Sequence, residues 1–274
     1  MARFPRSFEV RLEYARHAAT AGNSAQALET FEALGAAAPD DRAVARRLCN
    51  LCLFVGQLDR AAAPLQRLLG ADEPTAEDHV LAARLARARG DLTAALDFAR
   101  TAVRAAPESA AAHHELARVL LEANAPDEAA ATAELEAALA LDPGLAEARF
   151  LLGTLLLQAG DELAGQRALD AGTLAEQLTS ADFRARPAEE RLQRAHQLAA
   201  RIPDWSRPWL EVARAELELG RPKKAELSLA RAGELRPDDV ERLKLLFAAA
   251  KAAGRTQLAD QRLAAWREAR TTSP

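Results

Sequence analysis

A pattern of 34 residues recurs along this chain, and it limits the fold more than any other feature. Its clearest copy is 76–109, AEDHVLAARLARARGDLTAALDFARTAVRAAPES. It reads as two short amphipathic helices joined by an Arg89-Gly90-Asp91 turn and closed by Pro107. Numbering that copy 1 to 34 and stepping along the sequence gives repeats 8–41, 42–75, 76–109, 110–145, 146–179, 206–239 and 240–273. The fourth is longer, with its slack in the Asn124-Ala125-Pro126-Asp127 turn. One hairpin of this size cannot bury its apolar face alone, so neighbours must stack.

The frame is tested by what it brings into register. Position 15 is Gly22, Gly56, Gly90, Asn124, Gly160, Gly220 and Gly254, residues suited to a left-handed helix stop. Position 8 is small (Ala15, Cys49, Ala83, Ala117, Gly153, Ala213), with Phe247 the exception. Position 20 is Ala27, Ala61, Ala95, Gly165, Ala225 and Ala259, with Ala129 or Ala131 filling it in the stretched repeat. Two helices can cross closely where both are small. Pro39, Pro107, Pro143 and Pro237 stand at position 32, and Pro74 one later, to end the second helix.

These residues resemble the tetratricopeptide repeat family, whose pattern has Trp at 4, Leu at 7, small residues at 8 and 20, Ala at 27 and Pro at 32. Repeat 206–239 carries it with Trp209, Ala213, Ala225, Leu229, Ala232 and Pro237; repeat 146–179 carries Leu152, Gly153, Gly165, Leu169 and Gly172 without the proline. Position 11, aromatic in the family, is mainly Ala or Leu here. The resemblance implies an all-α, right-handed superhelical solenoid of about seven hairpins. Composition agrees: 49% hydrophobic with only 4% aromatic, mostly Ala and Leu, and no alternating β-branched run.

Residues 1–7 are then an N-terminal arm, 8–179 five repeats, and 206–273 two more ending in a capping helix. Between them, 180–205 is too short for a hairpin. Arg186-Pro187 breaks a helix there, so a loop is expected near 180–187, followed by a single amphipathic helix over 188–201. On the last helix, Leu263 and Trp266 either cap the core or mark a self-association surface; the polar outer face of Arg262, Arg267, Glu268 and Arg270 favours the cap.

Chemistry is sparse. Cys49 and Cys52 form a CxxC, but at packing positions 8 and 11 and without a second pair, so they read as buried structural thiols. His79 and His113 occupy packing position 4 with no repeating carboxylate at ligand spacing. No phosphate loop, dinucleotide fingerprint, zinc-protease or serine-hydrolase motif occurs. No enzyme, cofactor or metal is expected. A net charge of −4 argues against nucleic acid, and no apolar run of about 18 residues or N-terminal leader is seen, so a cytoplasmic protein without membrane insertion is expected. Cations are almost all Arg, Lys being confined to 223, 224, 244 and 251, which with the Ala richness points to a GC-rich bacterial source.

The pattern most suggestive of function is an arginine stripe. Where 4, 7, 8 and 11 pack, positions 2, 5, 9 and 12 form an adjacent stripe recurring at i+3 and i+4. It holds Arg16, Arg46, Asn50, Arg84, Arg87, His114 and Arg118, then Arg207 and Arg214. Glu9, Glu77, Glu147 and Glu241 share it at position 2. The alternative to ligand contact is a solvated, self-neutralising face. The resemblance implies that this stripe lines a concave groove holding peptides. The family's dicarboxylate clamp is not reproduced: Arg46 and Asn50 match in kind, but Leu81, Ala111 and Glu115 do not. Phe54 and Leu121, with Leu53, Val80, Phe150 and Leu157, would supply an apolar floor; the alternative, favoured for Phe150 and Leu157, is that they only pack between repeats. The expected function is a non-catalytic scaffold or adaptor, monomeric, gripping an acidic peptide, helix or domain through the arginines. The alternative is a regulatory or substrate-presenting module of a larger enzyme or secretion or assembly system.

Overall fold

The local rules for starting and stopping helices are obeyed at almost every hairpin. In the computed structural model, which describes residues 22–123, 125–237 and 239–272, Asp41, Asp91 and Asp161 cap helices by accepting from backbone N–H groups three residues on, at 3.0–3.1 Å. Thr75 and Asp78 form a reciprocal capping box. The first helix of a hairpin ends at a glycine in the left-handed region, as at Gly90 (φ 80°) and Gly160 (φ 87°). Arg16, Asn124 and the helix expected over 8–20 lie outside the described residues.

No strand occurs among the described residues, and the fold is all-α, of the repeat-solenoid class. The chain divides at 141/142 into two compact units. The N-terminal unit contains α1 (Ser24–Ala37), α2 (Arg42–Phe54), α3 (Leu58–Leu69), α4 (Ala76–Ala88), α5 (Leu92–Ala105), α6 (Ala110–Glu122) and α7 (Glu128–Leu141). Helices α2/α3, α4/α5 and α6/α7 are hairpins, and the first helices α2, α4 and α6 lie side by side. Leu28, Phe31, Leu48, Leu65 and Leu81 knit α1 to α4 into one core. Ala83, Ala95, Ala99 and Leu116 continue it into α6.

The C-terminal unit contains α8 (Ala146–Gln158), α9 (Glu162–Thr179), α10 (Ala181–Ala185), α11 (Ala188–Arg201), α12 (Ser206–Glu218), α13 (Pro222–Leu235), α14 (Val240–Ala252) and α15 (Thr256–Thr272). Helices α8/α9, α12/α13 and α14/α15 are hairpins. At the α8/α9 crossing both helices carry glycine: a Cβ on Gly165 would lie 2.9 Å from the Gly153 carbonyl. Phe150 and Leu157 lie over Gly172 and Gly165 within this hairpin, Leu157 remaining partly open to water.

The interruption is more regular than the sequence suggests. The loop expected near 180–187 is largely the short helix α10, because Ser180 caps it (Phe183 N–H to Oγ, 3.1 Å) and Phe183 buries its ring. Helix α11 then ends as second helices do. Its cap Ile202 (φ −127°, ψ 76°) matches Ala38, Ala106 and Arg236, which close α1, α5 and α13. Helix α11 packs against α12, and Arg201 pairs with Asp170 of α9 at 3.0 Å.

Candidate interaction surface

In an inner repeat the first helix touches its own second helix and both neighbouring first helices, so little of it reaches water. On α2, α4 and α6 the solvent-facing strip runs along positions 2, 9 and 13 with position 12 at its edge. Asn50 and Phe54 lie on it exposed, Phe54 at 83%, beside the half-buried Arg84, Arg118 and Leu121. Position 5 is not part of it. Val80 and His114 occupy position 5 and are buried, His114 to 2%; Val80 packs with Ala102 of α5 and Ala112 of α6. His114 is therefore a packing residue, contrary to its expected place on the stripe.

Two carboxylates buried between first helices organise the arginines. Asp78 on α4 has no exposure; it accepts from Arg46 Nε at 2.7 Å and Arg42 Nη2 at 2.5 Å on α2, and from the Thr75 N–H at 2.9 Å. Glu115 on α6 is equally buried and accepts from Arg87 Nε at 2.8 Å and Arg84 Nε at 3.2 Å on α4. Arg87 also reaches Glu122 at 2.8 Å. Burial by itself would raise the Asp78 carboxyl; the hydrogen bonds from Arg46, Thr75 and Arg42 outweigh it and hold the group well below the usual carboxylate range. For Arg87, burial pulls the guanidinium down and Glu115 pulls it up further. The C-terminal unit also links its helices through arginines, but to exposed carboxylates: Arg214 of α12 pairs with Glu241 of α14 and with the buried Glu211 of its own helix, and Arg191 of α11 pairs with Glu218 of α12.

The residues assigned from the stripe thus separate by task. Arg46 and Arg87, 22% and 15% exposed, are committed to neighbouring helices. Arg84 spends its Nε on Glu115 and keeps its outer nitrogens on the strip. Asn50 donates only to the Arg46 carbonyl at 3.1 Å. Arg118 forms no ion pair among the described residues. Sequence reasoning missed Asp78 and Glu115, the two residues that hold the ladder. Their signal was an acidic side chain at packing position 3 or 6, with arginines 28–36 residues earlier on the preceding first helix.

The other polar groups serve packing. Cys49 and Cys52 are free, buried thiols; burial, then the neighbouring Cys52, pushes Cys49 up to about 12. His79 stacks on Phe98 with ring centroids 6.4 Å apart. No group of three or more metal-ligating side chains occurs among the described residues, and no described helix is long and apolar enough to cross a membrane.

Residues 86–134 match the model of the tetratricopeptide repeat family. Among curated proteins none matches the sequence. Solved structures are similar in fold. The APC/C hetero-tetramer Cut9-Hcn1 is 13% identical, with a TM-score of 0.50, covering 100% of this chain and 55% of that one. MamA 41-end from Desulfovibrio magneticus RS-1 is 14% identical over 65% of this chain and 99% of its own, with a TM-score of 0.48. YrrB, described as a TPR protein with an unusual peptide-binding site, is 20% identical over 79% of this chain and 97% of its own, with a TM-score of 0.40.

Proposed function

We propose, from the premise that the chain is a tetratricopeptide repeat protein, that it works as a non-catalytic scaffold whose protein ligand lies across α2, α4 and α6. The observation carrying this reading is the strip itself: an exposed phenyl ring at Phe54, an uncommitted guanidinium at Arg118, and Arg84 and Asn50 between them with donors to spare. A largely exposed aromatic ring gains most when a partner covers it, and a guanidinium keeps five donors of which Arg84 uses few. The matching ligand is a segment with an apolar side chain for Phe54 and a carboxylate for Arg118 and Arg84. The internal ion pairs favour binding indirectly, since a strip already fixed by its neighbours loses little freedom on association.

The test compares wild type with Phe54→Ala and Arg118→Glu as baits for proteins in a lysate of the source cell. Both substitutions lie outside the ladder, so circular dichroism should remain that of wild type. A partner held by wild type and lost by both variants supports the strip. One held equally by all three baits places recognition elsewhere. Reversing Arg46 or Arg87 would be uninformative, because it would uncover Asp78 or Glu115 and loosen the fold.

A further inference from the structure

The turns that join one repeat to the next expose the carbonyl of the position-32 proline, and three of them share a device. His113 Nε2 lies 2.8 Å from the Pro107 carbonyl, its other nitrogen 2.6 Å from Glu134. Arg149 Nε donates to the Pro143 carbonyl at 2.8 Å, and Arg242 Nη1 to the Pro237 carbonyl at 2.7 Å. A planar, nitrogen-bearing side chain from the first turn of the following helix thus returns to fill the corner behind the proline.

At Pro39 the residue in the position of His113 and Arg149 is Ala45. A methyl group stands where the others place a ring or guanidinium, and a pocket of about 400 Å³ lies there, with Ala45 and Leu68 as apolar walls and Pro39, Asp40 and Gly70 around them. No described residue donates to the Pro39 carbonyl, and Asp40 is exposed without a cationic partner. The pocket also meets the C-terminal end of α3, where unsatisfied carbonyls carry partial negative charge. Of the two arginines in the wall, Arg42 is already held by Asp78 at 2.5 Å and the Glu73 carbonyl at 3.1 Å, while Arg67 is exposed, lays its Nη2 against Gly35 and makes no ion pair among the described residues.

We propose that this corner is a docking pocket for an arginine side chain of a partner protein, whose guanidinium donates to the Pro39 carbonyl and Asp40 while its stem packs on Ala45 and Leu68. The contact reproduces between molecules what Arg149 and Arg242 make within the chain. It lies away from the strip of first-helix residues and does not depend on it.

The test is a nuclear magnetic resonance titration of the full chain with N-acetyl-arginine N-methylamide. Amide shifts centred on Ala45, Leu68, Gly70 and Ala71 are expected, saturating in the millimolar range proper to one side chain. Asp40→Asn should weaken binding about two- to five-fold, the scale of one solvent-screened ion pair. Ala45→Arg should remove binding and raise the melting temperature by filling the corner from within; should that variant not fold, Asp40→Asn decides alone. Arg67→Ala should leave the affinity unchanged or tighter. The proposal fails if the probe causes no shifts there, if acetate causes them instead, or if Arg67→Ala abolishes them, since the last two would mark an anion site.

Discussion

Asp78 occupies the third position of α4 without exposure, and two arginines of α2 converge on it. Breaking a buried ion pair from one side leaves charge without its counterpart. Arg42 and Arg46 retain 35% and 22% of their exposure, so water screens part of the loss. Asp78→Asn should therefore cost about 2–3 kcal/mol in denaturant unfolding at neutral pH, below the 3–5 kcal/mol of a fully buried pair. Because the folded carboxyl lies below its unfolded value, this advantage of wild type is complete above about pH 4 and falls away as pH drops through the folded pKa. Equal pH dependence in both proteins would contradict the clasp. Cys49, buried and pushed up to about 12, should resist iodoacetamide at pH 8 in the native state and react once urea unfolds the chain. In the sequence Cys49 was readable from its packing position, whereas Asp78 looked like an ordinary first-turn acid. Its partners stand more than thirty residues away and meet it only through stacking.

The elements were legible where chemistry is local. Glycine stops and closing prolines mark the hairpin ends in the linear sequence, and small residues mark the crossings. Ala95, fully buried where α5 crosses α4, gives the direct test: Ala95→Leu should overpack the crossing at a cost of about 1–3 kcal/mol, read as a lower melting temperature. Thr75→Ala removes a cap and an acceptor for Arg46 Nη2 at 2.8 Å, and should cost about 1 kcal/mol. Elsewhere packing overrode local preference. Pro64 sits inside α3, where a proline would normally end a helix, yet it is buried alongside Ala61, Leu65 and Leu68 and the helix continues. The segment after α9 reads as a break because Arg186-Pro187 interrupts it, but Phe183, Leu198 and Ile202 share one core with α9 and α12 and draw it into helices.

Across the whole molecule, each hairpin leans on its neighbours, so removing one uncovers the next. Deleting 240–274 should expose Leu229 and Ala232, which pack with Leu245 and Ala249, and convert the protein to larger species in size-exclusion chromatography; an elution showing no larger species would contradict that packing. The helical class, the 34-residue step, the glycine stops and the small crossing residues are legible in the linear sequence, because each is set by a few neighbouring residues or by a period that repeats. Which arginines face water and which hold the stack is fixed by packing between repeats. That choice depends on whether a carboxylate from the adjacent repeat arrives at the same buried seam. Asp78 meets Arg46 and Glu115 meets Arg87, but Arg118 is left without such a partner among the described residues.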